Sequence, residues 1–82
     1  MLATLTNKQK ADLFANAINL GYWDYFDQCK WCEKRKRYRY YCAGNEQVKY
    51  LSIEQLAHDF DTCIDEDEQL MLAEEYFAKK NN

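Results

Sequence analysis

Four cysteines and a single histidine are the residues of this chain best suited to metal or thiol chemistry. Cys29, Cys32, Cys42 and Cys63 are spaced C-x2-C-x9-C-x20-C. A C-x2-C step lets two thiolates converge on one tetrahedral ion, and a structural zinc site needs two ligands more. Cys42, Cys63 and His58 are the choices. If residues 53–64 are helical, His58 lies about 140° around the helix from Cys63, so the two do not grip one ion. Cys63 falls at the edge of the apolar stripe and His58 on the polar side. Cys29, Cys32, Cys42 and Cys63 are therefore the candidate zinc set. A zinc ribbon would show a second C-x2-C pair, and no second pair is present. The alternatives are free thiols in a reducing compartment, or disulfides.

Other chemistry is thinly supplied. A thioredoxin-like role for Cys29 and Cys32 needs the pair at a helix N-terminus after a strand, and no βαβ pattern surrounds them. A nucleophilic Cys–His pair would need His58 brought beside a thiol, which no spacing demands. Asp59, Asp61, Asp65 and Asp67 alternate as in a calcium loop, but the central glycine of such a loop is missing. Gly21 and Gly44 stand alone, so neither glycine-rich phosphate motif is present. The expectation is a protein that is not an enzyme, with no cofactor or with zinc.

Charge is more informative. The chain holds 11 basic and 14 acidic residues, for a net charge of -3. Residues 30–39 hold Lys30, Lys34, Arg35, Lys36, Arg37 and Arg39 against Glu33 alone. Residues 53–82 hold nine acids against Lys79 and Lys80. Such segregation gives two opposed electrostatic faces. The candidate basic face is Lys34, Arg35, Arg37, Arg39 and Tyr41, joined by Lys49 from a partner strand. Guanidinium groups interleaved with an aromatic ring suit phosphates and unstacked bases. The candidate partner-binding surface is Asp59, Asp61, Asp65, Glu66, Asp67, Glu68, Glu74 and Glu75, with Trp23 and Trp31 as aromatic anchors. The plainer alternatives are a solvated helix face, and tryptophans spent on the core of a small domain.

These residues need elements to position them. Thr6 and Gln9 make a capping box for a first helix. Its stripe is Leu13, Phe14, Ala17, Ile18 and Gly21, with Gly21 as the stop. Lys8, Lys10, Asp12 and Asn16 face away. Residues 22–33 are dense in aromatics and read as a strand or irregular knuckle, with a helix as the alternative. Residues 36–52 read as a β-hairpin turning at Ala43-Gly44-Asn45-Glu46. Tyr38, Tyr40 and Cys42 share its core face with Val48 and Tyr50, and Arg35, Arg37, Arg39 and Tyr41 share the other. Ser52 with Gln55 makes a second capping box, with Leu51 and Leu56 as a hydrophobic staple. Ile53, Leu56, Ala57, Phe60 and Ile64 make the buried stripe of that helix. A third helix starts at Asp65, with Glu68 at N3, and buries Leu70, Ala73 and Phe77, flanked by Met71 and Tyr76. The predicted class is α+β: an N-terminal helix, a small antiparallel hairpin or sheet, and two C-terminal helices packed on one face.

Eighty-two residues make one small domain, taken as residues 1–82. At 48% hydrophobic and 16% aromatic the chain is too apolar for a disordered tail. Two glycines and no proline exclude collagen-like and proline-rich classes. No apolar run spans a membrane, and the first residues lack the apolar core of a signal peptide. A cytoplasmic location is expected. In size, aromatic content, acidity and lack of a catalytic set, the whole chain resembles the small inhibitors of phages and mobile elements, such as anti-CRISPR proteins. That resemblance implies docking on a nucleic-acid-handling effector of a bacterial host and blocking it. It rests on no specific residue. The runner-up is a small zinc-stabilised nucleic-acid-binding module using the basic hairpin. A second copy of the chain is a further candidate partner.

Overall fold

A computed structural model describes residues 5–21 and 26–80. Helix α1 (Asn7–Asn19) begins as its capping chemistry requires. Gln9 N–H donates to Thr6 Oγ1 at 3.1 Å, and Thr6 N–H donates to Gln9 Oε1 at 2.8 Å. Gly21 ends it, with φ 86 and its N–H donating to the Ile18 carbonyl at 3.0 Å. That left-handed conformation costs glycine little. Leu13, Phe14, Ala17 and Ile18 are buried as the periodicity predicts. Lys8, Lys10, Asp12 and Asn16 do not simply face away; all four are half-buried.

Three strands follow: β1 (Gln28–Cys32), β2 (Arg37–Cys42) and β3 (Gln47–Leu51). They form one antiparallel sheet in the order β1-β2-β3. The hairpin is thus the larger part of a sheet that β1 completes, and the helical alternative for its residues does not hold. Trp23, with the rest of residues 22–25, lies outside the described residues. Each hairpin closes through a four-residue loop whose last residue is left-handed, Lys36 at φ 54 and Glu46 at φ 56. The second loop sets Cys42 opposite Gln47, Tyr40 opposite Lys49 and Tyr38 opposite Leu51. Directly opposed residues share a face. Val48 and Tyr50 therefore do not join Tyr38 and Tyr40 on the core face; they lie opposite Tyr41 and Arg39 on the other side.

Helix α2 (Ile53–Cys63) starts at Ser52, whose Oγ accepts from Gln55 N–H at 3.1 Å. Only that half of the box forms among the described residues, and the Gln55 side-chain amide donates instead to Asp59 at 3.2 Å. Leu56, Ala57, Phe60 and Ile64 are buried. Cys63 is exposed, contrary to its place on the helical wheel, since Ile64 leaves the helix in an extended conformation and takes the core position. Helix α3 (Glu66–Lys80) is capped by Asp65, whose Oδ1 accepts from Glu68 N–H at 2.9 Å. Its buried face is Gln69, Leu72 and Ala73, with Tyr76 and Phe77 half-buried. Leu70 and Met71, expected inside or at the margin, are 38% and 53% exposed. Gln69 displaces them because its Nε2 donates to the Phe60 and Ile64 carbonyls at 2.9 and 2.7 Å, where α2 ends.

Helix α1 is the central element, packed on α2, β1 and α3. The core joins Leu13, Phe14 and Ile18 to Cys29 and Tyr38 of the sheet and to Leu56, Phe60, Ile64 and Leu72 of the other helices. Burying each large apolar side chain contributes about 1.5–3 kcal/mol. The fold is α+β, as predicted, with the sheet open to solvent on the side away from the core. No described helix is long and apolar enough to cross a membrane.

Candidate nucleic-acid interface

Strand alternation divides the sheet's chemistry cleanly. Its helix-facing side carries Cys29 and Trp31 from β1, Tyr38, Tyr40 and Cys42 from β2, and Gln47, Lys49 and Leu51 from β3. Its open side carries Gln28, Lys30 and Cys32, then Arg37, Arg39 and Tyr41, then Val48 and Tyr50. No acid stands among these open-side strand residues. Lys30 lies directly opposite Arg39, and Arg39 directly opposite Tyr50. From the loop between β1 and β2, the Arg35 guanidinium sits 4.4 Å above the centre of the Tyr50 ring. Arg37, on the same face by register, donates to the Lys36 carbonyl at 2.9 Å. Lys30, Lys34, Arg35, Arg37 and Arg39 are all exposed, and among the described residues no carboxylate pairs with any of them.

The helix-facing side is built differently: its tyrosines are tied down. The Tyr38 hydroxyl donates to Asp12, and Lys8 Nζ donates to Asp12 at 2.7 Å and to Tyr38 at 2.8 Å. Lys8 also lies 4.3 Å above the Trp31 ring, which meets Tyr38 edge-on at 4.9 Å. The Tyr40 hydroxyl donates to buried Asp27 at 2.7 Å, and Asp27 also accepts from Ala43 N–H at 2.8 Å. Burial, then the neighbouring carboxylate, pushes both phenols above the ordinary tyrosine range. Burial alone pushes the Cys29 thiol up to about 12. Glu33 is held below the usual carboxylate range by its bond to Lys36, and next by the Trp31 indole N–H.

The other candidate residues scatter. Cys29 and Cys32 are three apart on a strand, so they point to opposite faces of the sheet and do not converge. Cys42 and Cys63 line one cleft of about 410 Å3 between the sheet and α2, with Tyr40, Lys49, Leu51 and Asp59. The four thiols are not brought together, and among the described residues no group of three metal-binding side chains is. Lys49 faces this cleft and so does not join the basic face, where the sequence places it. Of the acids, Asp61 pairs with Lys10 at 3.0 Å, Asp59 accepts from Gln55, and Asp65 caps α3. Glu68 is half-buried in the first turn of α3. Glu66, Asp67, Glu74 and Glu75 remain exposed along α3. Trp31 is half-buried under Lys8, its indole N–H donating to Glu33 at 2.6 Å, so it serves packing more than docking.

Three open-face residues escape sequence reasoning. Lys30 lies on β1, whose register needs the pairing with β2. Val48 and Tyr50 look like core because they alternate with polar neighbours; the even length of the Ala43–Glu46 loop was the signal that reverses them. Comparison with protein-family models, with curated proteins and with solved structures returned no match.

Proposed function

We propose that this chain is a non-catalytic binding protein whose open sheet face docks on nucleic acid. One observation carries the reading: Lys30 and Arg39 are set side by side on a face that holds no strand acid. Like charges directly opposed across a ladder destabilise it. A phosphate between them removes that repulsion, and Arg37 and Arg35 extend the same cationic surface. Segregation supports the reading too, since residues 28–51 hold seven basic and two acidic side chains while nine of the fourteen acids fall in residues 53–82. Fluorescence anisotropy with a labelled oligonucleotide is the test. Arg37→Ala with Arg39→Ala should weaken binding and flatten its salt dependence, because each lost phosphate contact removes one released counterion. Unchanged binding and slope would remove the sheet face from consideration.

A second reading is favoured by the outer face of α3. Leu70 and Met71 are exposed there, bordered by Glu66, Asp67, Glu74 and Glu75. An apolar centre with a charged rim is the anatomy of a protein interface. In this reading the chain acts as anti-CRISPR-like inhibitors do, by docking on a basic, nucleic-acid-handling effector. Reversing Glu66, Asp67 and Glu74 to lysine should then abolish the partner complex and leave oligonucleotide binding intact.

A further inference from the structure

Resting on the nucleic-acid reading above, we infer that the open face takes a single strand, its unstacked bases lying on Tyr41 and Tyr50 and its phosphates on Lys30, Arg37 and Arg39. The sheet's tyrosines divide by face. Tyr38 and Tyr40, toward the helices, give their hydroxyls to Asp12 and Asp27. Tyr41 and Tyr50, on the open side, give theirs to no side chain among the described residues. The first pair packs in or against the core cluster; of the second pair, which stands outside that cluster, Tyr41 is half-buried and Tyr50 exposed. Tyr50 is 43% exposed and Val48 beside it 40%, an outlay of apolar surface that folding alone does not require.

Register fixes the spacing of the two rings. Tyr41 is opposite Val48 and Arg39 is opposite Tyr50, so Tyr41 and Tyr50 are diagonal neighbours on adjacent strands. Such positions lie about 7–8 Å apart. Bases in a duplex are stacked at about 3.4 Å along each strand, and their faces are covered. A duplex has no base face to offer these rings; a single strand does. Arg35 lays a planar cation 4.4 Å over one face of the Tyr50 ring, so a base that takes that face displaces the guanidinium, which is then free to meet a phosphate. Arg37 and Arg39 stand on the same face of β2 as Tyr41, at two-residue steps of about 7 Å, and Lys30 is beside Arg39. Phosphates at the arginines then leave bases to reach one ring or the other, without sequence preference, because every base has a π-face.

The experiment measures anisotropy with three labelled probes of about 12 nucleotides: oligothymidine, the same strand in a duplex, and an abasic strand with equal phosphates. Wild type should bind oligothymidine at least about tenfold more tightly than either other probe. Tyr41→Ala and Tyr50→Ala should each cost roughly 5- to 150-fold on oligothymidine alone. Tyr41→Phe and Tyr50→Phe should bind as wild type, since the ring and not the hydroxyl does the stacking. The salt slope should stay unchanged in the tyrosine variants and fall in Arg37→Ala with Arg39→Ala. Circular dichroism confirms that each variant folds; a variant that unfolds is replaced by its leucine counterpart. Equal binding of all three probes with silent tyrosine variants would overturn the single-strand assignment and leave the nucleic-acid reading standing. No binding of any probe at low salt would overturn both.

Discussion

Lys30 and Arg39 stand directly opposite each other across the β1–β2 ladder, on the side of the sheet turned away from the core. Their neighbours on that face are Arg37, Cys32 and Tyr50, so no carboxylate shields the pair. Opposite charges in these positions would stabilise the ladder, by about 0.2–1 kcal/mol per pair. Lys30→Glu should therefore raise stability by about that amount, read as a higher urea midpoint. The same variant should weaken oligonucleotide binding and reduce the magnitude of the salt slope by at least about 0.7, the value for one lost contact to a single strand. A variant that is less stable and still binds fully would show that the cations are not held there against their own repulsion.

Asn19 closes the outer edge of β1. Its side-chain amide donates to the Cys29 carbonyl and accepts from Cys29 N–H, both at 2.7 Å. A single side chain thus takes the place of a fourth strand at that residue. Asn19→Ala should cost about 1–2 kcal/mol, two ordinary hydrogen bonds in part-buried surroundings. Asn19→Asp keeps the acceptor for Cys29 N–H but turns its second oxygen on the Cys29 carbonyl, so it should be no more stable than the alanine variant at neutral pH. Hydrogen exchange of the Cys29 amide is the sharper readout: it should quicken strongly in the alanine variant. An unchanged rate would mean that the edge is protected by something else.

The caps were legible because they are local chemistry. Thr6, Ser52 and Asp65 each bond an N–H three residues on, as their sequence neighbours demand. The α+β order and the alternation of Tyr38 and Tyr40 against Arg37 and Arg39 were legible for the same reason. What failed is set by tertiary pairing. Val48 and Tyr50 alternate like core residues, yet the four-residue loop puts Lys49 and Leu51 on the helix side. Leu70 and Met71 look more buriable than Gln69, yet the open carbonyls at the end of α2 draw the amide inward. The C-x2-C spacing suggested convergence, and a strand turns those thiols apart. Of the open face, Arg37, Arg39 and Tyr41, with Arg35 from the loop, are readable from alternation; Lys30 and Tyr50 wait on register.

Alkaline pH should unfold this protein through its sheet. The Cys29 thiol is pushed up to about 12, and the Tyr38 and Tyr40 phenols are raised as well, in each case by burial first. Folding holds these protons more tightly than the unfolded chain does. Their contribution is fully present below the unfolded values, about 8.5 for a thiol and 10 for a phenol, and is lost as pH climbs towards the folded ones. The urea midpoint should be level near neutrality and decline from about pH 9 upward. Cys29→Ala should remove the earliest part of the decline while lowering the neutral plateau. Thiol labelling at mild alkalinity should modify exposed Cys63 quickly and buried Cys29 only on unfolding. Rapid labelling of all four cysteines in the folded protein would refute this account.

Gln69 joins the two C-terminal helices through its side-chain amide. It is buried, and its Nε2 donates both protons to carbonyls that α2 leaves unsatisfied, Phe60 at 2.9 Å and Ile64 at 2.7 Å. The last carbonyls of a helix have no partner within it, and a buried orphan costs about 1–3 kcal/mol. Gln69→Leu fills the same space with apolar atoms, so hydrophobic bookkeeping alone would expect it to stabilise. The expectation here is the reverse: a loss of about 1–3 kcal/mol, since both carbonyls lose their donor. Gln69→Glu separates size from donation. At neutral pH its carboxylate would face two carbonyl oxygens, so that variant should be the least stable of the set. The folded state would favour the protonated acid, raising the carboxyl pKa above its unfolded value, so part of the lost stability should return as pH falls towards the ordinary carboxylate range. Urea titrations of the two variants at neutral and mildly acidic pH decide the matter. A leucine variant as stable as wild type, or a glutamate variant with no recovery in acid, would mean that α3 is held on α2 by packing alone.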